Sequence, residues 1–525
     1  MINGLNFFTP IRYEQKDSCW QVLVEGIEEY FYLGGKSAFV IPGQTSVGSL
    51  EVEIKNTDKN KIIHVIICAV KIAICVMMPV PAVIMLAVKI VFRATHRFHS
   101  KKLSSSSGKT TATFKTHHNL GVNSTSDNCR SSVASLMNKF DSLKKDTYFD
   151  ANRFAKCLSE HAKRFKKEGF NTEEHFGYIE KFDLKASEKP QIYVRADLHG
   201  DLKSLMENLK SLQQQGLLDK NFQCKPGVHL VFLGDYCDNG DYIVEVLEML
   251  MCLREENEGQ VHLIRGNHEH NLSLNQGYGK SDPDFMKIVE NSEGKKALEA
   301  FYETLSLTTY IGVEGEKREY VQFTHGLFEP TMDPAPLLDE KKSGEHILVK
   351  KERKLSERIE KIADGVSDLS ESAQRIQEIV TLSTELTSPH YTAYNWADVS
   401  EKDSEFGNLG SRKYKLNAQD IRHYLDLSSE QHRVVMLFRG HQHKFQHLKH
   451  KEEVLVTTLS VGMNSNPQNY KKGSRYNCED QSDRAYIIQT DVKVSQWQKK
   501  AIVRAPSSST TDRIEGPFPL TSSEI

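Results

Sequence analysis

Five short polar motifs follow one another along the middle of this chain, each at the end of an apolar, often β-branched run. They are ADLHGD (196–201), GDYCDNG (234–240), RGNHEH (265–270), THG (324–326) and RGHQH (439–443). The runs before them are Gln191–Ala196, His229–Leu233, Val261–Ile264, Tyr320–Phe323 and Val434–Phe438. Short apolar runs closed by glycine or polar residues predict buried strands. A further run, Val454–Val461, predicts another. A polar residue just past a strand end lies on a loop held by a rigid sheet, where precise sites are usually built. The expected fold class is α/β.

The motifs supply Asp, Asn and His, which are hard or borderline ligands. That mixture suits Mn, Fe or Zn better than a metal that prefers thiolates. Two such cations about 3.5–4 Å apart clamp the attacking and leaving oxygens of a phosphate ester and lower the pKa of a shared water. One carboxylate must then bridge them. Asp235 is the candidate, from its central place in the motif order. A single D-x-H or GNHE arises by chance; five motifs in order, each after a strand-like run, do not.

These residues resemble the phosphoprotein phosphatase branch of the calcineurin-like metallophosphoesterases. The family pattern is GD-x-HG, GD-x-x-DRG, GNHE, HG and R-x-HQ. The resemblance covers roughly residues 188–465 and implies a β-sandwich flanked by helices. It implies that Asp197 and His199 bind a first metal and that Asp235 bridges to a second, completed by Asn267, His325 and His441. His268 would protonate the leaving group, held by Asp238. A bridging hydroxide would attack, with no covalent enzyme intermediate. YNWADV (394–399) is similar to the family's W-S-D-P segment. Ser411-Arg412 is similar to the segment carrying a phosphate-binding Arg, so Arg412 is the candidate clamp. A guanidinium fork matches phosphate oxygens in a bidentate way.

Three departures stand out. The family's Arg after GD-x-x-D is Asn239 here. The family's S-A-P-N-Y segment reads Ser460-Val-Gly-Met-Asn464, without the Tyr. A second histidine, His443, follows His441 in the GH-x-H manner of other metallophosphoesterases, and could add a ligand or touch the phosphate. These changes bear on substrate preference more than on metal binding. Glu269 reads as structural support for the site and not as a ligand.

A length of 525 residues suggests two or three domains. The net charge of −2 and the pI of about 6.9 give no sign of nucleic-acid binding, and neither a zinc-finger pattern nor an extended basic domain is present. Nine cysteines are scattered without paired spacing, as expected in a reducing, cytosolic compartment. No G-x-S-x-G, P-loop or dinucleotide fingerprint occurs, and the first residues lack the form of a standard secretory signal.

Residues 1–60 read as a small mixed segment and 61–93 as an apolar, membrane-associating one. Ile62–Phe92 is broken only by His64, Lys71 and Lys89 among polar residues. About twenty apolar residues span a bilayer as a helix, but Pro79 and Pro81 make a kinked span or a shallow hairpin equally compatible. Lys59, Lys61, Arg93, Arg97, Lys101 and Lys102 flank the run, and each such charge favours an anionic lipid surface by roughly 1 kcal/mol. A helical hairpin buried in the protein is the alternative. Residues 103–128 read as a flexible linker and 129–187 as a helical region. A charged, helix-prone insertion, 338–387, suits a lid, a docking surface or a plain elaboration. Residues 466–504 are a C-terminal extension, and 505–525 a polar tail expected to be disordered. The layout resembles effector phosphatases of the Wip type, which implies secretion into a host cell.

The expected function is therefore a metal-dependent phosphoprotein phosphatase acting on Ser/Thr or Tyr phosphomonoesters, with a phosphorylated protein as partner and a membrane contact through 62–92. A nucleotide pyrophosphatase of the diadenosine-tetraphosphatase type shares these motifs. A catalytically inactive, membrane-anchored scaffold is the non-enzymatic alternative.

Overall fold

The computed structural model describes residues 131–141, 149–238, 240–270, 282–352, 392–406, 414–443, 445–459, 483–504 and 513–522. All belong to the second of two compact units, Asp127–Ile525. The apolar run 62–92, the linker 103–128, Asn239, Arg412, Ser460–Asn464 and most of the 338–387 insertion lie outside the described residues. Among the described residues no helix is long and apolar enough to cross a membrane.

Two helices open this unit, α1 (Val133–Phe140) and α2 (Ala151–Phe165). Asp150 caps α2 by accepting from the amides of Asn152 and Arg153, at 3.0 and 3.1 Å. Strands and helices then alternate: β1 (His175–Leu184), β2 (Gln191–Arg195), α3 (Leu202–Gln214), β3 (Val228–Phe232), α4 (Ile243–Glu256) and β4 (Val261–Leu263). Next come α5 (Pro283–Glu290), α6 (Ser292–Tyr302), β5 (Thr308–Val313), β6 (Glu319–Thr324) and β7 (His346–Lys350). The last part holds α7 (Ala393–Trp396), β8 (Asp398–Val399), β9 (Glu405–Phe406), β10 (Tyr414–Leu416), α8 (Ala418–Leu427), β11 (Arg433–Arg439), β12 (Gln446–His450), β13 (Glu453–Thr458), β14 (Asp483–Gln489), β15 (Gln498–Arg504) and β16 (Arg513–Pro519).

The strands form two large sheets, ordered β16-β15-β14-β2-β3-β4 and β12-β13-β11-β6-β5-β1-β7, with a small third sheet β8-β10-β9. Their side chains alternate between layers, as strand geometry demands. Ile192, Val194, Val231 and Leu233 from one sheet and Val321, Phe323, Met436 and Phe438 from the other form a shared core between them. Tyr193, Leu230 and Phe232 point the other way, onto α3 and α4. Leu437 and Tyr320 point outward on the second sheet, onto Ile421 and Leu425 of α8. The result is a sandwich with helices on both outer faces. It explains why the motif-bearing strands read as unbroken apolar runs, because both faces are covered.

Every ligand-bearing motif leaves the C-terminal end of a parallel strand. β2, β3 and β4 are neighbours in parallel register, and β6 and β11 are parallel neighbours in the opposing sheet. The loops of both sheets therefore meet at one edge of the sandwich.

Three expectations are corrected, the first being that 129–187 is helical, since it contains the strand β1, paired with β5 and β7. The tail expected to be disordered supplies β16, which pairs with β15, and Leu520 is fully buried. The insertion expected to be helical contains a strand, β7, added to the sheet edge beside β1. At β16 pairing with a distant strand overrides a mixed local composition, whereas β7, HILVK, carries its own aliphatic run. The sandwich also draws on residues on either side of 188–465: β1 comes before, and β14, beside β2, comes after.

Candidate metal centre

The loops after β2 and β3 are laced together by backbone bonds. The amides of Leu198 and His199 donate to Asp235 O at 3.0 and 2.8 Å, and that of Gly200 to Tyr236 O at 3.0 Å. The loops after β3 and β4 touch through backbone as well. A Cβ at Gly266 would collide with the amide nitrogen and Oδ1 of Asp235. Eight non-glycine residues among those described have positive φ, and five are at this site: His199, Asp235, Asp238, His441 and His443. Backbone held in the left-handed region costs energy that surrounding contacts must maintain, and such positions concentrate at functional sites.

Two groups of side chains converge there, each with ligand atoms within 4.8 Å of one another and all buried. The first is Asp197, His199, Asp235 and His443; the second is Asp235, His325 and His441. Asp235 is common to both. Asn267 joins the second group, its Oδ1 2.9 Å from His325 Nε2 and 2.8 Å from His441 Nδ1. His443 Nε2 lies 3.4 Å from Asp197 Oδ2 and 3.3 Å from His199 Nε2.

The imidazoles are oriented from behind. His199 Nδ1 donates to Cys237 O at 2.9 Å, and His325 Nδ1 to Leu233 O at 2.8 Å. Each bond turns an Nε2 lone pair inward, as in metal-ligating histidines generally. His441 Nε2 lies 3.7 Å from Asp398 Oδ1, while its backbone amide donates to Asp197 Oδ2 at 3.0 Å.

A cation fits this arrangement. Asp235 Oδ2 is buried and accepts no hydrogen bond among the described residues, yet faces His325 Nε2 at 3.3 Å and His199 Nε2 at 3.6 Å. Carboxylate, amide oxygen and imidazole lone pairs pointed at one another repel unless a cation stands between them. The residues are positioned to hold two metal ions.

The charges respond to the crowding. Burial pushes the Asp197 carboxyl up. Burial also opposes charge on Asp235, but the facing imidazoles of His325 and His268 outweigh it and hold its carboxyl well below the usual range. Burial, aided by His199, keeps His443 neutral and so able to offer a lone pair. His268 stands beside Asp235 and His199, its Nε2 3.9 Å from Asp235 Oδ2, and its Nδ1 donates to Asp238 Oδ2 at 2.6 Å. Burial works against its charge, yet Asp235 and Asp238 together raise it to about 10. A cation on Asp235 would lower that value.

Seven of the expected site residues thus come together: Asp197, His199, Asp235, Asn267, His325, His441 and His443. His268 and Asp238 form a pair at their side. Arg412 lies outside the described residues. Sequence reading assigned no role to Asp398, which faces His441, or to Asn395, whose side chain donates to Arg265 O and Gly266 O. Both lie in the YNWADV segment, which was the available signal.

Residues 190–445 match the family model described as calcineurin-like phosphoesterase. The chain is 32% identical over 123 residues to the serine/threonine-protein phosphatase PP1-1 of Saccharomyces cerevisiae, covering 23% of this chain and 36% of that one. It is 29% identical over 167 residues to the serine/threonine-protein phosphatase 6 catalytic subunit of Caenorhabditis elegans, covering 31% and 45%. The chain thus spans less than half the length of these relatives. A solved Saccharomyces cerevisiae protein serine/threonine phosphatase, described as similar to human PP5, aligns with a TM-score of 0.42 at 16% identity over 72% of this chain and 98% of that one.

Proposed function

We propose, on the premise that residues 190–445 are a calcineurin-like phosphoesterase domain, that this protein is a metal-dependent phosphatase removing phosphate from Ser, Thr or Tyr side chains of proteins. The observation that carries the reading is the pair of buried ligand groups sharing Asp235, with the His268–Asp238 pair beside them. Asp197, His199, Asp235 and His443 would hold the first cation, and Asp235, Asn267, His325 and His441 the second. Two divalent cations there supply Lewis acidity and a water of lowered pKa.

The protein's own groups do the rest. Asp238 accepts from His268 Nδ1, which leaves Nε2 to hand a proton to the departing alkoxide or phenoxide. Cys237 O and Leu233 O fix the tautomers of His199 and His325. Arg412, two residues before β10, clamps the phosphate oxygens. Support comes from the likeness of Ser411-Arg412 to the family segment that carries a phosphate-binding Arg. Identity to serine/threonine phosphatases supports a phosphoprotein as substrate.

The test is phosphate release from phosphoserine, phosphothreonine and phosphotyrosine peptides with added Mn, using the full chain and Asp235→Asn. Release that depends on Mn and vanishes in the variant is expected, and the peptide ranking sets the class. Release from dinucleoside polyphosphates alone would overturn the protein substrate, and metal-independent release would overturn the mechanism.

The same reading includes membrane contact through Ile62–Phe92, supported by its apolar length and basic flanks. Flotation with anionic vesicles should carry the full chain and leave behind a chain lacking 62–92.

A further inference from the structure

One buried carboxylate at the site is absent from both ligand groups. Glu269 is 1% exposed. Its Oε1 accepts the backbone amides of Tyr236 and Cys237 at 2.9 and 3.1 Å. Its Oε2 accepts those of Asp235 and Gly266 at 2.8 and 2.9 Å. Because Glu269 itself lies on the loop after β4, both of its oxygens tie that loop to the loop after β3, and Oε2 also binds back to Gly266 of its own loop. The loop after β3 carries the shared carboxylate, Asp235; the loop after β4 carries Asn267 and His268. A bond from the His268 amide to Asp235 Oδ1 at 3.1 Å runs beside this clamp.

The chemistry demands a carboxylate here. Four convergent N–H groups need four acceptor lone pairs, which an ionised carboxylate offers and an amide does not. Glutamine would turn an NH2 group toward one pair of donors, whichever way it flipped. Bonds from N–H groups to a charged acceptor are also among the stronger ones.

We propose that Glu269 is a positioning residue: it sets the separation between Asp235 and Asn267, and through it the affinity for the second cation. The inference rests on the phosphatase reading of the ligand groups. Loss of a group that orients metal ligands commonly lowers metal affinity or activity about 10- to 100-fold.

The structure supplies its own control. Asp282 is a second fully buried carboxylate accepting four backbone amides, those of Ile243, Val244, Asp284 and Phe285. It joins the start of α4 to the start of α5, and none of these four amide donors belongs to a residue of the two ligand groups. The experiment compares the full chain, Glu269→Gln and Asp282→Asn, stripped with chelator and titrated with Mn by calorimetry, with melting curves and steady-state kinetics in parallel. Both variants should melt below wild type. Only Glu269→Gln should weaken the second Mn, by about 10- to 100-fold, with kcat falling and KM little changed. Where Glu269→Gln yields no folded protein, Glu269→Asp takes the same readings; it keeps the charge but is too short to reach both pairs of amides. Either Glu269 variant binding both Mn ions at wild-type affinity, while melting like Asp282→Asn, overturns the inference. A wild-type chain that binds no Mn overturns the phosphatase reading, and this inference with it.

Discussion

Two groups of histidines in this molecule, one buried and one pairing a buried with a half-buried ring, make an instructive contrast. At the C-terminal strand ends, His199, His325, His441 and His443 crowd around Asp197 and Asp235. Within the strands, His229 of β3 and His262 of β4 face each other, Nδ1 to Nε2 at 3.1 Å, with their rings stacked at 15°. Phe182 closes over His262 edge-on, with centroids 4.3 Å apart. Both groups bring imidazoles to contact distance. The second offers no carboxylate to oppose burial: burial takes His229 down to about 4, and His262 lies well below its ordinary value, pushed by burial and then by His229. In the first group the carboxylates reverse this at His325, which Asp235 and Asp197 raise despite its burial. Proximity of histidines is thus packing in one place and a group able to hold a metal ion in the other. The converging acids, and the backbone carbonyls that turn lone pairs inward, make the difference.

The contrast can be broken most severely at Asp235. Asp235→Asn leaves the packing volume intact and removes the shared charge. Phosphate release should fall by about 10³-fold or more, because metal stabilisation of the transition state amounts to several kcal/mol. Metal content, read by elemental analysis, should fall with it. His229→Gln, by comparison, should leave both unchanged.

A smaller effect is expected at the acid pair. His268→Asn should lower kcat by about 10²- to 10⁴-fold with bound metal retained, the usual contribution of a positioned proton donor. Asp238→Asn should have a milder effect, about 10- to 100-fold, since it acts through His268. Kinetics and metal analysis on the same preparations separate these outcomes from loss of the cations.

The packed pair has its own signature in pH. The folded state holds His229 and His262 below the unfolded value of about 6.5, so the unfolded chain binds more protons between pH 6.5 and 4. Their contribution is fully present above pH 6.5 and is lost as pH falls toward 4. Urea unfolding of the chelated protein should show this loss, on the order of 2 kcal/mol. His229→Gln should flatten the slope, and an unchanged slope would remove the pair from the account. The smallest effect belongs to the helical flank. Asp150→Ala should cost about 1 kcal/mol through the lost cap of α2, with no change in kcat.

How much of this was legible in the sequence follows from what is local. The strands before the motifs were readable because each is a short apolar run ending in glycine or a polar residue. Val228–Phe232 and Glu319–Thr324 lie within a residue of the predicted runs. The residues that converge at the site were readable because each sits within a few residues of a strand end. Partners separated by hundreds of residues were not. β14 pairs with β2 across about three hundred positions, and nothing in DRAYIIQ announces that register. β16 is polar and contains Gly516 and Pro517, so composition pointed away from a strand that pairing with β15 imposes. Glu269 was legible as structural support for the site, but not what it supports, because its partners are backbone amides, which carry no residue identity. His443 was ambiguous in sequence because one histidine near another is as often packing as ligand, and only its approach to Asp197 separates the two.

The central claim is that two cations share Asp235. Crystals soaked in Mn and measured at its absorption edge test this directly, through the anomalous difference map. The account predicts two peaks flanking Asp235, one beside Asp197, His199 and His443, the other beside Asn267, His325 and His441. A map with no peak at Asp235, or with its strongest peak at His229 and His262, would contradict it.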